Sequence, residues 1–364
     1  MRVLVTGGAG FIGRHVVRRL LQDGHDVTVL DSLRPDVHAP GTTPDVAGAR
    51  LVQADVRDED VLTDVVPGHD AVVHLAAKVG LGVDLDDITD YVSSNDLGTA
   101  CVLRAALHAG TPRVVFASSM VVYGEGAYDC SAHGRIAPAP RRVGDLDAGV
   151  FDPRCPRCDG VLSPGLVSED APLDPRNVYA TTKVTGEHLL RSWVRETGGS
   201  AFALRFHNVY GPGMPRDTPY AGVASLFRSE LAAGRAPRVF EDGGQRRDFV
   251  HVDDVARAVV AAAGRPTDDG SMEPLNVGSG TVTTVGGLAG AMTAAMGGPE
   301  PVVTGQYRVG DVRHVTASSA RARSLLGWSA QIPLDAGLAD VLADTSGRPS
   351  RTATDARPGQ VTPS

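Results

Sequence analysis

Three glycines spaced three apart, inside "RVLVTGGAGFIGRHVVRRLLQDGHDVTVLD", constrain this chain more than any other feature. A short apolar run leads into Gly7, Gly10 and Gly13, an amphipathic stretch follows, and a second apolar run ends in Asp31. Read as strand, tight turn, helix and strand, this is one βαβ unit. The glycines let the backbone approach a pyrophosphate closely, and the helix start at Phe11 and Ile12 offers free N–H groups to the anion. Asp31 stands where a carboxylate accepts the hydrogen bonds of an adenosine ribose and repels a 2′-phosphate, so NAD is expected. Arg34, three residues on, leaves NADP open as the alternative.

The same rhythm continues. Apolar runs recur in "RLVQADV" with Asp55 and Val56, in "AVVHLAA" with Leu75, Ala76 and Ala77, in "RVVFASS" ending at Ser119, and in "AFALRFHNVYG" with Asn208. Strands separated by helical segments predict an α/β fold, a doubly wound parallel sheet of Rossmann type, with ligands outside the carboxyl ends of the strands. No repeat of period ~20–50 residues suggests a solenoid. At 364 residues and 42% apolar composition, the chain suits one large α/β unit or two domains in close contact. Lys plus Arg number 35 against 43 for Asp plus Glu, with no basic run, so a small molecule is expected as partner and nucleic acid is not. No stretch approaches the ~20 apolar residues of a membrane span, and "MRVLV" enters the glycine turn directly, so a cytoplasmic protein with no membrane partner is expected. In that reducing compartment disulfides are disfavoured, and Cys101 reads as a buried helix residue.

"YATTKVTGEHLL" sets Tyr179 and Lys183 four apart, on one face of a helix. A phenol with a pKa near ~10 is a poor base at neutral pH, but a lysine cation and the positive nicotinamide ring beside it favour the phenolate. Ser119, at a strand end, can bridge substrate and tyrosine, and Asn95 in "SSNDLGT" can brace the lysine.

Together "TGGAGFIG", "HLAA", "SSMVVYG", "YATTK", "RFHNVYGPG" and "RRDFVHVDD" resemble the extended short-chain dehydrogenase/reductase family, the nucleotide-sugar epimerases and dehydratases, over about residues 1 to 342. The resemblance implies Ser119, Tyr179 and Lys183 as the catalytic triad and Asn95 as the supporting asparagine. It also implies a nucleoside-diphosphate sugar as substrate, with Asn208, Arg247, Arg308 and Asp311 at the diphosphate and ribose. Arginine suits phosphate because its planar fork pairs with two oxygens. A homodimer is implied too, through the helix after Asn95 and the helix of Tyr179, whose patterns offer Leu103, Leu107, Leu189 and Trp193 beyond one core stripe.

The reaction is narrowed by two residues. Dehydratases of this family place Asp and Glu directly after the catalytic hydroxyl, and decarboxylases use a Glu two places on; Met120 and Val121 here cannot move protons. The resemblance therefore implies 4-epimerisation by transient oxidation at C4. A 4-ketoreductase or other nucleotide-sugar oxidoreductase, and a non-catalytic NAD sensor, are the alternatives.

Between the Ser119 strand and the Tyr179 helix lies an insertion of about residues 126 to 165, with Cys130 and His133 in "YDCSAHG" and Cys155 and Cys158 in "FDPRCPRCDG". Two two-residue gaps let four ligands converge on one tetrahedral zinc. A redox C-x-x-C would open a helix, which "CPRCDGVLSPG" does not encourage; three free thiols in a decayed ribbon are the other reading. The insertion, "HLAAKVGLGV", "YAGV" and "VFEDGGQRRDF" resemble the dTDP-L-rhamnose 4-epimerase-like branch, whose pattern has two C-x-x-C knuckles. His133 departs from it, and Lys78 adds a charge beside the nicotinamide site. The expected organisation is an NAD-binding domain over 1–205 with the zinc ribbon at 126–165, a smaller substrate domain over 206–345 from which 240–265 returns to the first domain, and a disordered tail over 346–364.

Overall fold

A computed structural model describes residues 1–38, 44–80, 85–215, 222–265 and 270–344; the tail expected to be disordered lies outside them. Seven strands form one parallel sheet, in the order Met272–Val277, Ser200–Phe206, Arg113–Ser119, Ala71–His74, Arg2–Thr6, Asp26–Asp31, Arg50–Gln53. A parallel sheet is covered on both faces, which is why its inner strands are continuous apolar runs. Val3, Leu4 and Val5 are fully buried, as are Val72, Val73 and Val115.

Helices Phe11–Gln22 and Val252–Gly264 cover one face, burying Val16, Leu20, Val255 and Val259 with Val5 and Val115. Helices Gly98–Ala109 and Val178–Thr197 belong to the other face, where Leu103, Phe116, Leu190 and Trp193 share a core. The Tyr179 helix is bounded locally. The Asn177 side chain caps its start by accepting from Ala180 N at 2.8 Å, and Gly198, at φ 68°, ends it in the left-handed region. Leu103 and Trp193, expected to face a partner, are 5% and 7% exposed because the chain's own core absorbs them; Leu107 is 50% exposed.

The apolar run that enters strand Ser200–Phe206 does not stay in one sheet. His207 donates its N–H to Val277 O at 3.0 Å, and the chain then leaves: Asn208–Tyr210 pairs with Arg246–His251, which pairs with Val282–Thr284. Helices Val223–Ala232, Val285–Met296 and Leu334–Ala343 close a second core with Tyr210, Phe227, Leu288 and Val341. The segment expected to return to the first domain therefore divides. Its helix Val252–Gly264 packs on Phe11–Gln22, its strand Arg246–His251 belongs to the small sheet, and the strand that does rejoin the large sheet is Met272–Val277. The insertion builds its own antiparallel sheet, ordered Gly134–Ile136, Ala127–Cys130, Ser163–Gly165.

Candidate active site

The glycine turn has the shape its spacing predicts. Gly7 is at φ 71°, and a Cβ there would lie 2.7 Å from Ala76 N; a methyl on Gly13 would run into the Gly7 carbonyl. The helix that follows has no side-chain cap at Gly10 and no acidic residue in its first turn, so its positive end at Phe11 and Ile12 faces outward uncompensated. Asp31 is buried and ties the turn down. One carboxylate oxygen accepts Ala9 N at 3.0 Å and the other Leu33 N at 3.0 Å.

Arg34, the residue that left NADP open, is held between two carboxylates. It bonds Asp36 at 3.1 and 3.2 Å and Asp90 at 3.3 and 3.4 Å. Asp55 is likewise committed to Arg57 through a two-point pair at 2.7 and 2.8 Å, which holds its carboxyl below the usual range. Val56 is buried against Gly98. The segment Leu75, Ala76 and Ala77 is held beside the turn by Thr6, whose carbonyl accepts Leu75 N at 3.1 Å and whose hydroxyl accepts Ala76 N at 3.3 Å. His74 underneath is fully enclosed between Thr6 and Thr99 at 2.7 and 3.1 Å, and burial pushes it down to about 3, so it stays neutral.

Ser119 ends its strand half-buried, and its Oγ accepts Val121 N at 3.4 Å at the start of the turn Met120–Tyr123. Tyr179 is close enough to feel that hydroxyl. Burial pushes the phenol up to about 12 while the hydrogen bond to Ser119 pulls the other way. Lys183 is 4% exposed, donates to Ala117 O at 2.8 Å and lies 5.6 Å from the Tyr179 ring centre. Burial lowers it to about 8, with Asp96 opposing. In the protein alone, burial is the larger influence on the phenol and Ser119 opposes it. A positive nicotinamide ring would act on both groups in the direction of the phenolate.

Asn95 does not touch Lys183. Its amide bonds the Lys78 backbone on both sides, accepting Lys78 N at 2.7 Å and donating to Lys78 O at 3.0 Å, and donates to the Thr182 hydroxyl at 2.9 Å. It sits in a π-helical turn, Val92–Leu97, the one-residue widening that aims it there. The unexpected charge of Lys78 is neutralised by Asp87 at 3.0 Å and Asp90 at 2.7 Å.

On the substrate side, Asn208 Oδ1 is buried with no partner. Arg247 donates to the carbonyls of Arg246 and Arg313, both at 2.9 Å, and of Val312 at 2.8 Å, so much of its fork holds backbone. Arg308 is exposed with its guanidinium 5.2 Å from the Phe240 ring centre, and burial pushes the Asp311 carboxyl up. Sequence reasoning missed the buried charges that frame this region: Glu125, Arg141, Glu241 and Arg313. Arg141 and Glu241 stand 100 residues apart, so no local spacing announces them.

In the insertion, ligand atoms of Cys130, His133, Cys155 and Cys158 all lie within 4.8 Å of one another. His133 Nδ1 is 3.5 Å from the sulfurs of Cys130 and Cys155, and the Cys130 and Cys158 sulfurs are 3.7 Å apart. Cys155 begins a tight hairpin, with its N–H on Gly160 O at 2.8 Å, and opens no helix. No disulfide joins any two of the four cysteines, and Cys101 is buried in its helix.

Residues 3–142 and 160–278 match the model of the NAD dependent epimerase/dehydratase family, and the stretch passed over is the middle of the insertion. The chain is 34% identical over 353 residues to a dTDP-L-rhamnose 4-epimerase of Burkholderia thailandensis, covering 93% of each. It is also 34% identical to a UDP-glucose 4-epimerase of Mycolicibacterium smegmatis, covering 93% of this chain and 96% of that one. Among solved structures, the UDP-glucose 4-epimerase of Thermotoga maritima with UDP-glucose superposes with a TM-score of 0.76 at 28% identity, covering 95% of this chain and 99% of that one. The UDP-glucose 4-epimerase of Thermus thermophilus in complex with NAD gives 0.74 at 28% identity with the same coverage.

Proposed function

The chain belongs to the NAD dependent epimerase/dehydratase family, and from that premise we propose that it is an NAD-dependent 4-epimerase of a nucleoside-diphosphate sugar, with a dTDP- or UDP-sugar as substrate. The observation that carries the reaction type is the Ser119, Tyr179 and Lys183 group at a strand end, followed by Met120 and Val121 where elimination chemistry needs acids. NAD, when bound, takes the C4 hydride and returns it to the opposite face of the sugar. Tyr179 accepts the C4 hydroxyl proton and later gives it back; Ser119 holds the C4 oxygen; Lys183 keeps a positive charge behind the phenol. Net redox is zero, so no second reductant is required.

The residues fit this cofactor. Gly7, Gly10 and Gly13 leave room for a pyrophosphate at an uncapped helix start, Asp31 suits the ribose, and Asp55 with Val56 and Leu75 to Ala77 follow the carboxyl ends of two strands of the same parallel sheet. Arg34 is engaged by Asp36 and Asp90, which supports NAD over NADP. On the substrate side, the unpartnered Asn208 Oδ1 and the exposed Arg308 suit a ribose and a diphosphate. The test is product analysis after incubation with dTDP-L-rhamnose, UDP-glucose and UDP-galactose. Inversion at C4 with no net change in cofactor redox state supports the reading, and formation of a 4-keto product only with added NAD+ or NADP+, reduced in equal amount, would make the protein a nucleotide-sugar oxidoreductase.

The insertion holds one structural zinc on Cys130, His133, Cys155 and Cys158. A tetrahedral ion with bonds of ~2.3 Å to sulfur and ~2.0 Å to nitrogen sets sulfurs about 3.8 Å apart and sulfur and nitrogen about 3.5 Å apart. The distances of 3.7 and 3.5 Å in the quartet fit that figure. Four protein ligands leave no open position, so the ion shapes the insertion and takes no part in proton or hydride transfer. Replacing Cys155 and Cys158 by Ser is expected to reduce zinc from about one per chain to near none, with NAD retained. Elemental analysis of wild type prepared without chelator, showing well under one zinc per chain, would favour free thiols.

A homodimer fits the apolar residues left exposed before and along the helix Gly98–Ala109: Ile88, Val92, Leu97 and Leu107, at 44 to 50% exposure. Light scattering of the holoenzyme should give twice the chain mass, and Leu107→Glu should shift it toward the monomer. Among the described residues no helix is long and apolar enough to cross a membrane. A cytoplasmic location accords with four unbridged thiols.

A further inference from the structure

We propose that Arg141, on the insertion, is a positioning residue for the nucleotide sugar: it fixes the turn Arg308–Arg313 in the shape that receives the nucleoside diphosphate. This rests on the nucleotide-sugar reading above. The Arg141 side chain is 6% exposed and spans three segments. Its Nη1 donates to Glu241 Oε1 at 2.8 Å and to Phe151 O at 3.3 Å, and its Nη2 donates to the Asp311 carbonyl at 2.6 Å.

The turn is gripped at every residue after that. Arg247 holds the Val312 carbonyl, Glu125 accepts Arg313 N at 3.0 and 3.1 Å, and Glu241 accepts Arg313 Nη1 at 2.7 Å. Glu125 follows the Ser119 turn by two residues beyond Tyr123, so the same cluster joins the catalytic strand, the insertion and the substrate turn. Glu241 pays for its place with a left-handed backbone at φ 52°, a strained conformation for a residue with a side chain.

Buried ion pairs are weak stabilisers, because desolvation cancels much of the attraction. What Arg141 supplies is geometry. Arg308 and Asp311 stand in one turn whose Asp311 carbonyl is fixed by a residue of the insertion. The insertion therefore acts on substrate affinity through Arg141, while none of the Arg141 hydrogen bonds goes to the glycine turn that follows strand Arg2–Thr6.

The test uses the holoenzyme. Arg141→Met keeps the apolar stem and removes the fork; Arg141→Lys keeps the charge toward Glu241 but cannot make both contacts as a planar fork does. For a nucleotide sugar that wild type turns over, KM is expected to rise about tenfold in Arg141→Met and about threefold in Arg141→Lys, with kcat within about twofold. Calorimetric titration with UDP and with dTDP should show the same ordering in Kd, with NAD and zinc per chain unchanged. Wild-type KM and Kd in both variants would overturn the proposal. Loss of NAD in step with loss of affinity would also overturn it, since Arg141 would then serve the fold as a whole. If Arg141→Met does not fold, Arg141→Lys decides alone. A wild type that binds neither UDP nor dTDP and turns over no nucleotide sugar would instead sink the nucleotide-sugar reading, a result obtained before any variant is made.

Discussion

Tyr179→Phe is expected to retain its NAD and to lose activity by about 10³-fold, the scale on which a positioned acid–base group contributes. The substitution removes one oxygen from a half-buried ring and leaves its packing against Tyr91, 6.2 Å between ring centres, in place. The phenol is the group that Ser119 influences and that Lys183 backs, so its loss leaves the C4 proton without the proposed acceptor. NAD should stay, since the cofactor contacts proposed for the glycine turn and Asp31 do not involve the phenol. The measurement is kcat on an accepted nucleotide sugar beside NAD released on denaturation. Activity within tenfold of wild type would remove Tyr179 from the chemistry, and an inactive wild type that still binds NAD would point to a sensor.

Asp31→Ala should weaken NAD binding by about 100-fold or more. Two causes act together. The ribose loses a charged acceptor, and hydrogen bonds to a charged partner contribute about 1.5–3 kcal/mol each. The N–H groups of Ala9 and Leu33 also lose their common acceptor, so the turn that cradles the pyrophosphate loosens. Asp31→Asn keeps one acceptor oxygen and should fall between the two. Calorimetric titration of NAD-free protein separates the three. Equal NAD affinity in wild type and Asp31→Ala would place the ribose elsewhere. A gain of NADP affinity in Asp31→Asn would show that Arg34 can leave Asp36 and Asp90 when a 2′-phosphate calls for it.

The residues that sequence determined by itself are those whose partners are close along the chain. The βαβ unit was legible because turn, helix and acid follow within one short stretch, and Gly13 is constrained by the nearby Gly7 carbonyl; the constraint on Gly7 comes from Ala76, which only the sheet brings beside it. Tyr179 and Lys183 were legible because four residues make one helical turn. The Cys/His quartet was legible as two local pairs, and the fold's contribution was to bring the pairs within 4.8 Å. Six strands of the large sheet followed from their apolar runs, but the seventh, Met272–Val277, was not foreseen, since a short run at a sheet edge carries no sign of which strand it will join.

Only tertiary structure decided the rest. Asn95 turned to Lys78 and Thr182 because a widened helical turn re-aimed it, and Leu103 and Trp193 went inward because two helices share a core there. Burial, which sequence spacing does not encode, raises the Tyr179 phenol and lowers the Lys183 amine, because it penalises both charged forms. Arg141 met Glu241 and the Asp311 carbonyl across more than a quarter of the chain. Spacing along a chain reports contacts that one helix or one turn can close; a buried charge is matched by whatever the packed fold brings beside it.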